Sequence, residues 1–121
     1  MSAYVRIPTA MTDREILIEA IRQCKFTAQN VGQSITVPQI TAYGHILTFE
    51  PSSKGFIAAG MDLSLDPKIQ RQLAQINEAY KAIVAERTAT ILTQAKARNF
   101  RVKEEMVNGK KRFTFVKMVI Q

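Results

Sequence analysis

The sequence predicts a single α+β domain over residues 1–121, with one antiparallel or mixed sheet of about six strands and two helices on one face. Three observations predict it. The stretch from Asp66 to about Phe100 has a helical period, the chain before it consists of short alternating segments and one shorter helix, and Asn108-Gly109 separates two further alternating segments. At 46% hydrophobic and 22% charged residues, the composition is that of a globular domain able to bury a core.

The first quarter of the chain predicts a strand followed by a helix. Ala3 to Ile7 alternates as a strand does, and Pro8 ends it. Thr12 and Glu15 have the spacing of a capping box, which predicts a helix from there to about Lys25. That helix would present one apolar face, made of Ile16, Leu17, Ala20, Ile21 and Cys24.

Four strands are expected between this helix and the long one. The first two, Phe26–Asn30 and Ser34–Ile40, flank a turn at residues 31–33. Pro38 lacks a backbone N–H, so the second of them should be an edge strand or be broken at that point. The other two, Gly44–Glu50 and Phe56–Leu65, are separated by a turn at residues 51–55.

The long helix has a clear start and one apolar stripe. Asp66 is a good N-cap, and Pro67 fits the first helical position. Asn99 is a plausible left-handed cap at the other end. The stripe consists of Ile69, Leu73, Ile76, Tyr80 and Ile83. We expect it to pack against the sheet, with Phe113 or Phe115 beneath it.

The end of the chain predicts a β-hairpin. The strands Phe100–Val107 and Lys111–Ile120 flank Asn108-Gly109, a pair that favours a type I′ turn with positive φ at both residues. The order strand, helix, hairpin echoes the first half of the chain, which indicates a β-α-β-β pseudo-repeat.

The positive charge of the chain is concentrated in this last segment. The whole chain has a formal net charge of +7, and from Lys96 onward eight basic residues stand against Glu104 and Glu105, a local balance of +6. Such clustering is typical of a surface for RNA, DNA or an acidic protein, although a solvated hairpin face explains it equally well. The candidate contacts for an anionic partner are Lys96, Arg98, Arg101, Lys103, Lys110, Lys111, Arg112 and Lys117.

No residue pattern predicts catalysis, a metal site or a cofactor. His45 is the only histidine, and the five glycines form no nucleotide-binding loop. The acidic spacing that starts at Asp62 fails as a calcium loop, since glycine and glutamate are missing where such a loop needs them. Cys24 is the only cysteine, which excludes a disulfide framework and favours an inert, buried thiol. We therefore expect a protein that is not an enzyme.

Two segments resemble a known family. Residues 2–26, SAYVRIPTAMTDREILIEAIRQCKF, and residues 79–117, AYKAIVAERTATILTQAKARNFRVKEEMVNGKKRFTFVK, are similar to the opening and the closing helix and hairpin of the hypothetical chloroplast open reading frame thirty-five family. Asn99-Phe100-Arg101-Val102 stands where that family has Gly-Phe-x-Val. The resemblance implies a cyanobacterial, plastid or phage source and the same strand-helix-hairpin architecture, with no established activity.

These observations favour a non-catalytic protein-interaction module, an adaptor or a subunit of a larger assembly. The alternative is a protein that binds RNA or single-stranded DNA through the basic hairpin. A protein partner is expected, and homo-oligomers are left open. No run of residues is apolar enough for a membrane span, so we expect no membrane and a location in the cytoplasm, the plastid stroma or an infected host cytoplasm.

Overall fold

The computed structural model of the protein describes residues 3–97 and 100–117; within the second segment, the side chains at positions 100–103, 107 and 115–117 lie outside the description. The described chain contains two helices and seven strands. The helices are α1 (Arg14–Gln23) and α2 (Pro67–Ala97). The strands are β1 (Tyr4–Pro8), β2 (Gln29–Val31), β3 (Ser34–Ala42), β4 (His45–Glu50), β5 (Ile57–Met61), β6 (Phe100–Val107) and β7 (Lys110–Lys117).

The α+β class is confirmed, but the strands are divided between two sheets. Five strands form an antiparallel sheet in the order β1-β5-β4-β3-β2, while β6 and β7 pair only with each other. The order strand, helix, hairpin does occur twice along the chain. The first hairpin lies within the large sheet and the second stands apart, so the repeat in sequence is not a repeat in space.

Both helices cover one face of the five-stranded sheet. Residues that are directly opposite in the register share a face, and the pairs Ile35–Phe49, Val37–Leu47 and Phe49–Ala58 place all of these side chains on the same one. They join one buried cluster with Leu17 and Ile21 of α1 and with Ile69, Ile76, Tyr80 and Ile83 of α2. Leu73 packs at the edge of that cluster and is half-buried. The predicted stripe is therefore the core face of the long helix.

The capping box that the sequence predicts for α1 does not form. Asp13 is the N-cap, and its carboxylate accepts from the backbone N–H groups of Glu15 and Ile16 at 3.0 and 3.2 Å. In a capping box, Glu15 would bind the N–H of Thr12, but that group donates to the hydroxyl of Tyr80 instead. A contact from the distant helix thus selects the cap.

The end of α1 and the start of α2 follow from local hydrogen bonding. α1 stops two residues before the predicted Lys25, which has φ 67°; the N–H groups of Lys25 and Phe26 return to the carbonyls of Arg22 and Ile21, as in a Schellman motif. Asp66 caps α2 as predicted, accepting from Lys68 and Ile69. α2 is described as far as Ala97, and the predicted cap at Asn99 lies outside the described residues.

Two strands are clearly shorter than predicted, and a third differs in its place in the sheet. β2 starts at Gln29, three residues later than expected, and β5 ends at Met61 because Asp62 adopts φ 55° and opens a turn. β3 lies between two strands, so it is not an edge strand, but its register with β4 shifts between Val37 and Thr41. This irregularity contains Pro38, which confirms the predicted break.

The β6–β7 hairpin runs back beside the second half of α2. From Tyr80 to Ala97, α2 rises about 26 Å, and the eight residues of β6 span about 27 Å in the return direction. Asn108 and Gly109 have φ 52° and 76°, which confirms positive φ at both turn residues. A Cβ on Gly109 would lie 3.3 Å from Cγ2 of Thr12 and 3.7 Å from the carbonyl oxygen of Lys54. The tip of the hairpin therefore contacts the segment before α1, which contains Thr12, and the β4–β5 loop, which contains Lys54.

Candidate functional site

The structure brings together only some of the predicted basic residues. Lys110, Lys111 and Arg112 are exposed near the hairpin tip. Lys96 is exposed on a different element, at the end of α2. Arg98 lies outside the described residues, as do the side chains of Arg101, Lys103 and Lys117. Alternation along β7 separates Lys111 from Lys110 and Arg112. Lys111 is paired with Glu104 at 3.2 Å.

Lys110 and Arg112 line a cleft of about 650 Å³ between the hairpin tip, the start of α1 and the β4–β5 loop. We call it the basic cleft. It has three cationic side chains, three hydroxyl groups and no acidic residue among the described residues of its wall. Its lining consists of Thr12, Arg14, Pro51, Ser52, Ser53, Gly55, Phe56, Asn108, Lys110 and Arg112.

Arg14 is the third cation of the basic cleft, and sequence analysis missed it. Its guanidinium group donates to Oδ1 of Asn30 at 2.8 Å and to the carbonyl oxygen of Gln33, and its Cζ lies 5.6 Å from the centre of the Phe56 ring. These partners fix its orientation without neutralising its charge. None of the ion pairs seen between described residues includes Arg14, Lys110 or Arg112. Glu105 lies directly opposite Arg112 in the register of the hairpin.

The loop at residues 51–55 forms the opposite wall and is held in place by its own hydrogen bonds. The hydroxyl of Ser52 donates to the carbonyl of Gly55 and accepts from the N–H of Lys54. The N–H of Phe56 donates to the carbonyl of Met11 at 2.7 Å. Gly55 has φ 125°, and a Cβ there would lie 2.9 Å from the Met11 carbonyl oxygen. Only glycine lets the two chain segments come this close.

A second cleft of about 460 Å³ lies on the other side of the hairpin, between it and the two helices. We call it the apolar cleft. Its apolar wall consists of Ile16, Val84, Ile91, Met106 and Phe113, together with the ring of Tyr80. Thr12 and Lys110 line both clefts, so the two meet at the hairpin tip.

Phe113 does not pack beneath the long helix in the core of the sheet, as the sequence predicted for Phe113 or Phe115. It is half-buried, lies on the wall of the apolar cleft, and is not part of the main buried cluster. The physical reason is that its strand belongs to the separate hairpin, which stands beside α2 and not under it. The side chain of Phe115 lies outside the description.

Other kinds of site find no support in the described part of the chain. No group of three His, Cys, Asp or Glu side chains there could hold a metal ion. Cys24 is the C-cap of α1 and is half-buried beside the core, where burial raises the pKa of its thiol. A raised pKa disfavours the thiolate, which is the nucleophilic form. Within residues 3–97 and 100–117, no helix has the length and apolar character that crossing a membrane requires.

Comparison with protein-family models, curated proteins and solved structures found no match to this chain. The resemblance to the hypothetical chloroplast open reading frame thirty-five family therefore stays a prediction from the sequence.

Proposed function

We propose that this protein is a non-catalytic binding module that holds the phosphate backbone of a single-stranded nucleic acid in the basic cleft. One observation carries the proposal: Arg14, Lys110 and Arg112 converge on one concave surface whose described lining has no acidic residue. Lysine and arginine gain affinity for nucleic acids mainly by neutralising phosphates. The hydroxyls of Thr12 and Ser53 are suitable additional donors to phosphate oxygens.

The shape of the surface favours a single strand over a duplex. A two-stranded ribbon that reads duplex DNA must project into the major groove. Here the hairpin tip is packed against Thr12 and Lys54 and is not free to project. A cleft between the tip and a loop instead admits a narrow, flexible chain, as in other proteins that track single strands through a charged groove.

A salt titration with matched charge variants tests this proposal. Binding of a labelled single strand, measured by fluorescence anisotropy, should weaken with salt with a log–log slope of about −2, from roughly −0.7 for each of three contacts. The double change Lys110→Ser/Arg112→Ser should bring the slope close to −0.7 and weaken binding to all base sequences alike. The labelled duplex of the same length should bind more weakly than the single strand.

The control removes the same two charges from elsewhere. Lys68 and Arg71 are exposed at the start of α2 and line neither cleft. Lys68→Ser/Arg71→Ser should leave both affinity and slope close to those of the parent. Equal losses in the two double variants would show a response to net charge alone, and the basic cleft would then not be the site.

The second candidate is a protein-interaction module, and the apolar cleft favours it. Met106 on its wall is 65% exposed and continues the apolar surface of Ile91 and Phe113, and a contiguous apolar surface is typical of an interaction site. Binding of a protein segment in the apolar cleft should depend little on salt and should persist in the variant Lys110→Ser/Arg112→Ser. If the parent protein binds no nucleic acid at physiological salt, this second function is favoured.

A further inference from the structure

We infer that the apolar cleft receives an unstacked base of the same strand whose phosphates occupy the basic cleft. This inference rests on the proposed function and adds to it a second point of contact. The ligand of the apolar cleft is then a flat aromatic ring, the nucleobase. The nucleic acid strand passes from one cleft into the other at the hairpin tip.

The continuity of the two clefts supports this path. Thr12 and Lys110 line both clefts, and the chain neighbours of Lys110, Gly109 and Lys111, lie on the wall of the apolar cleft. In a nucleic acid strand the base is attached to the backbone through the sugar, so a phosphate near Lys110 brings its base to this junction. A ligand with charge on one side and an apolar face on the other fits both surfaces at once.

The chemistry of the apolar cleft suits a stacked base. Phe113 is half-buried, so part of its ring surface remains accessible, and Met106 supplies a polarisable thioether beside it. Its volume of about 460 Å³ lies within the range of sites that bind small ring systems. Aromatic side chains stack on bases of every type, because every base has a π-face.

Four of the polar side chains that line the apolar cleft are already engaged, which predicts weak discrimination between bases. The carboxylate of Asp13 accepts from the first turn of α1, and the hydroxyl of Tyr80 accepts from Thr12 and Asp13. Arg87 is paired with Glu19 at 2.7 Å, and Lys111 with Glu104 at 3.2 Å. The cleft therefore recognises the ring of a base more than its hydrogen-bonding edge.

The test compares a labelled oligothymidylate with an abasic strand of the same length and charge. The parent protein should bind oligothymidylate roughly tenfold more tightly than the abasic strand, the size expected for one stacked base. Phe113→Leu should remove this preference and leave the salt slope unchanged. Lys110→Ser/Arg112→Ser should weaken binding of both strands and keep the preference.

Two further variants keep the inference falsifiable. Tyr4→Leu removes an exposed aromatic ring from β1, away from both clefts, and should leave the preference intact. Met106→Ser changes an exposed residue of the same wall; it should reduce the preference even if Phe113→Leu fails to fold. Equal binding of the two strands by the parent overturns the inference while the proposed function stands. If Phe113→Leu and Met106→Ser both keep the preference for oligothymidylate, the base is bound elsewhere, and the inference is overturned as well. Binding of neither strand at physiological salt rejects the proposed function itself.

Discussion

The hydroxyl of Tyr80 joins the long helix to the loop that both clefts share. It accepts hydrogen bonds from the backbone N–H groups of Thr12 and Asp13 at 3.0 and 2.9 Å. Tyr80 itself is only 7% exposed. Since Thr12 lines both clefts and Asp13 caps α1, one oxygen atom positions the start of a helix and the junction of two binding surfaces.

Tyr80→Phe should lower the free energy of unfolding by about 1–3 kcal/mol, because it leaves two partly buried backbone donors without an acceptor. A urea melt measures the change. The matched control is Tyr43→Phe, which removes a hydroxyl from a ring that is 72% exposed and should change stability by less than about 0.5 kcal/mol. If both variants melt like the parent, the hydroxyl of Tyr80 does not support the loop.

At the residue scale, the sequence predicted what depends on neighbours in the chain. Asp66 was identified as a cap because its acceptor and the N–H groups that it binds lie within three residues. The cap of α1 was assigned to Thr12 and not to Asp13, since the deciding contact comes from Tyr80. The role of Arg14 depends in the same way on Asn30 and Phe56, which no local pattern connects to it.

At the scale of an element, the local features of the β6–β7 hairpin were predicted and its place in the fold was not. Its strands and its turn at Asn108-Gly109 were predicted from alternation and turn chemistry. Its separation from the main sheet was not, because strand patterns give no information on which strand pairs with which. The separation of the hairpin from the main sheet follows from the length of α2, since the hairpin runs back beside this helix and does not join the five-stranded sheet.

Gly109→Ala tests how the hairpin tip is seated, with Gly44→Ala as its control. Both glycines have φ 76° and follow a residue with positive φ, so both changes introduce similar backbone strain, about 1–2 kcal/mol. A Cβ at Gly44 meets nothing within 4 Å, whereas a Cβ at Gly109 lies 3.3 Å from Thr12. Only Gly109→Ala should therefore also weaken binding of a single strand, measured by anisotropy. Equal affinity in the two variants would mean that the tip does not shape the clefts.

At the scale of the whole molecule, one buried cluster unites the large sheet and both helices. Ile76 belongs to this cluster and is completely buried. Its position in the core was predicted from the periodicity of the long helix alone. The two clefts could not be predicted, since each is formed by segments that are brought together only by the complete fold.

Ile76→Ala should destabilise the protein by about 2–5 kcal/mol, because it leaves a cavity where sheet and helices meet. A thermal or urea melt should show this as a single shifted transition. Gln75→Ala, at the adjacent exposed position of the same helix, should change stability by less than about 0.5 kcal/mol. A small change at Ile76 would contradict the docking of α2 on the sheet.

The pairing of β1 with β5 sets the order in which the protein can fold while it is being made. β1 forms all of its ladder with β5, whose last residue, Met61, pairs with Tyr4. Translation at about 5–20 residues per second needs roughly 3 to 11 s to add the chain between Pro8 and Met61. The ladders of β2 with β3 and of β3 with β4 need only the chain up to Glu50, whereas β5 is the partner of both β4 and β1. β1 is made before the other strands of the large sheet and is thus among the last of them to pair.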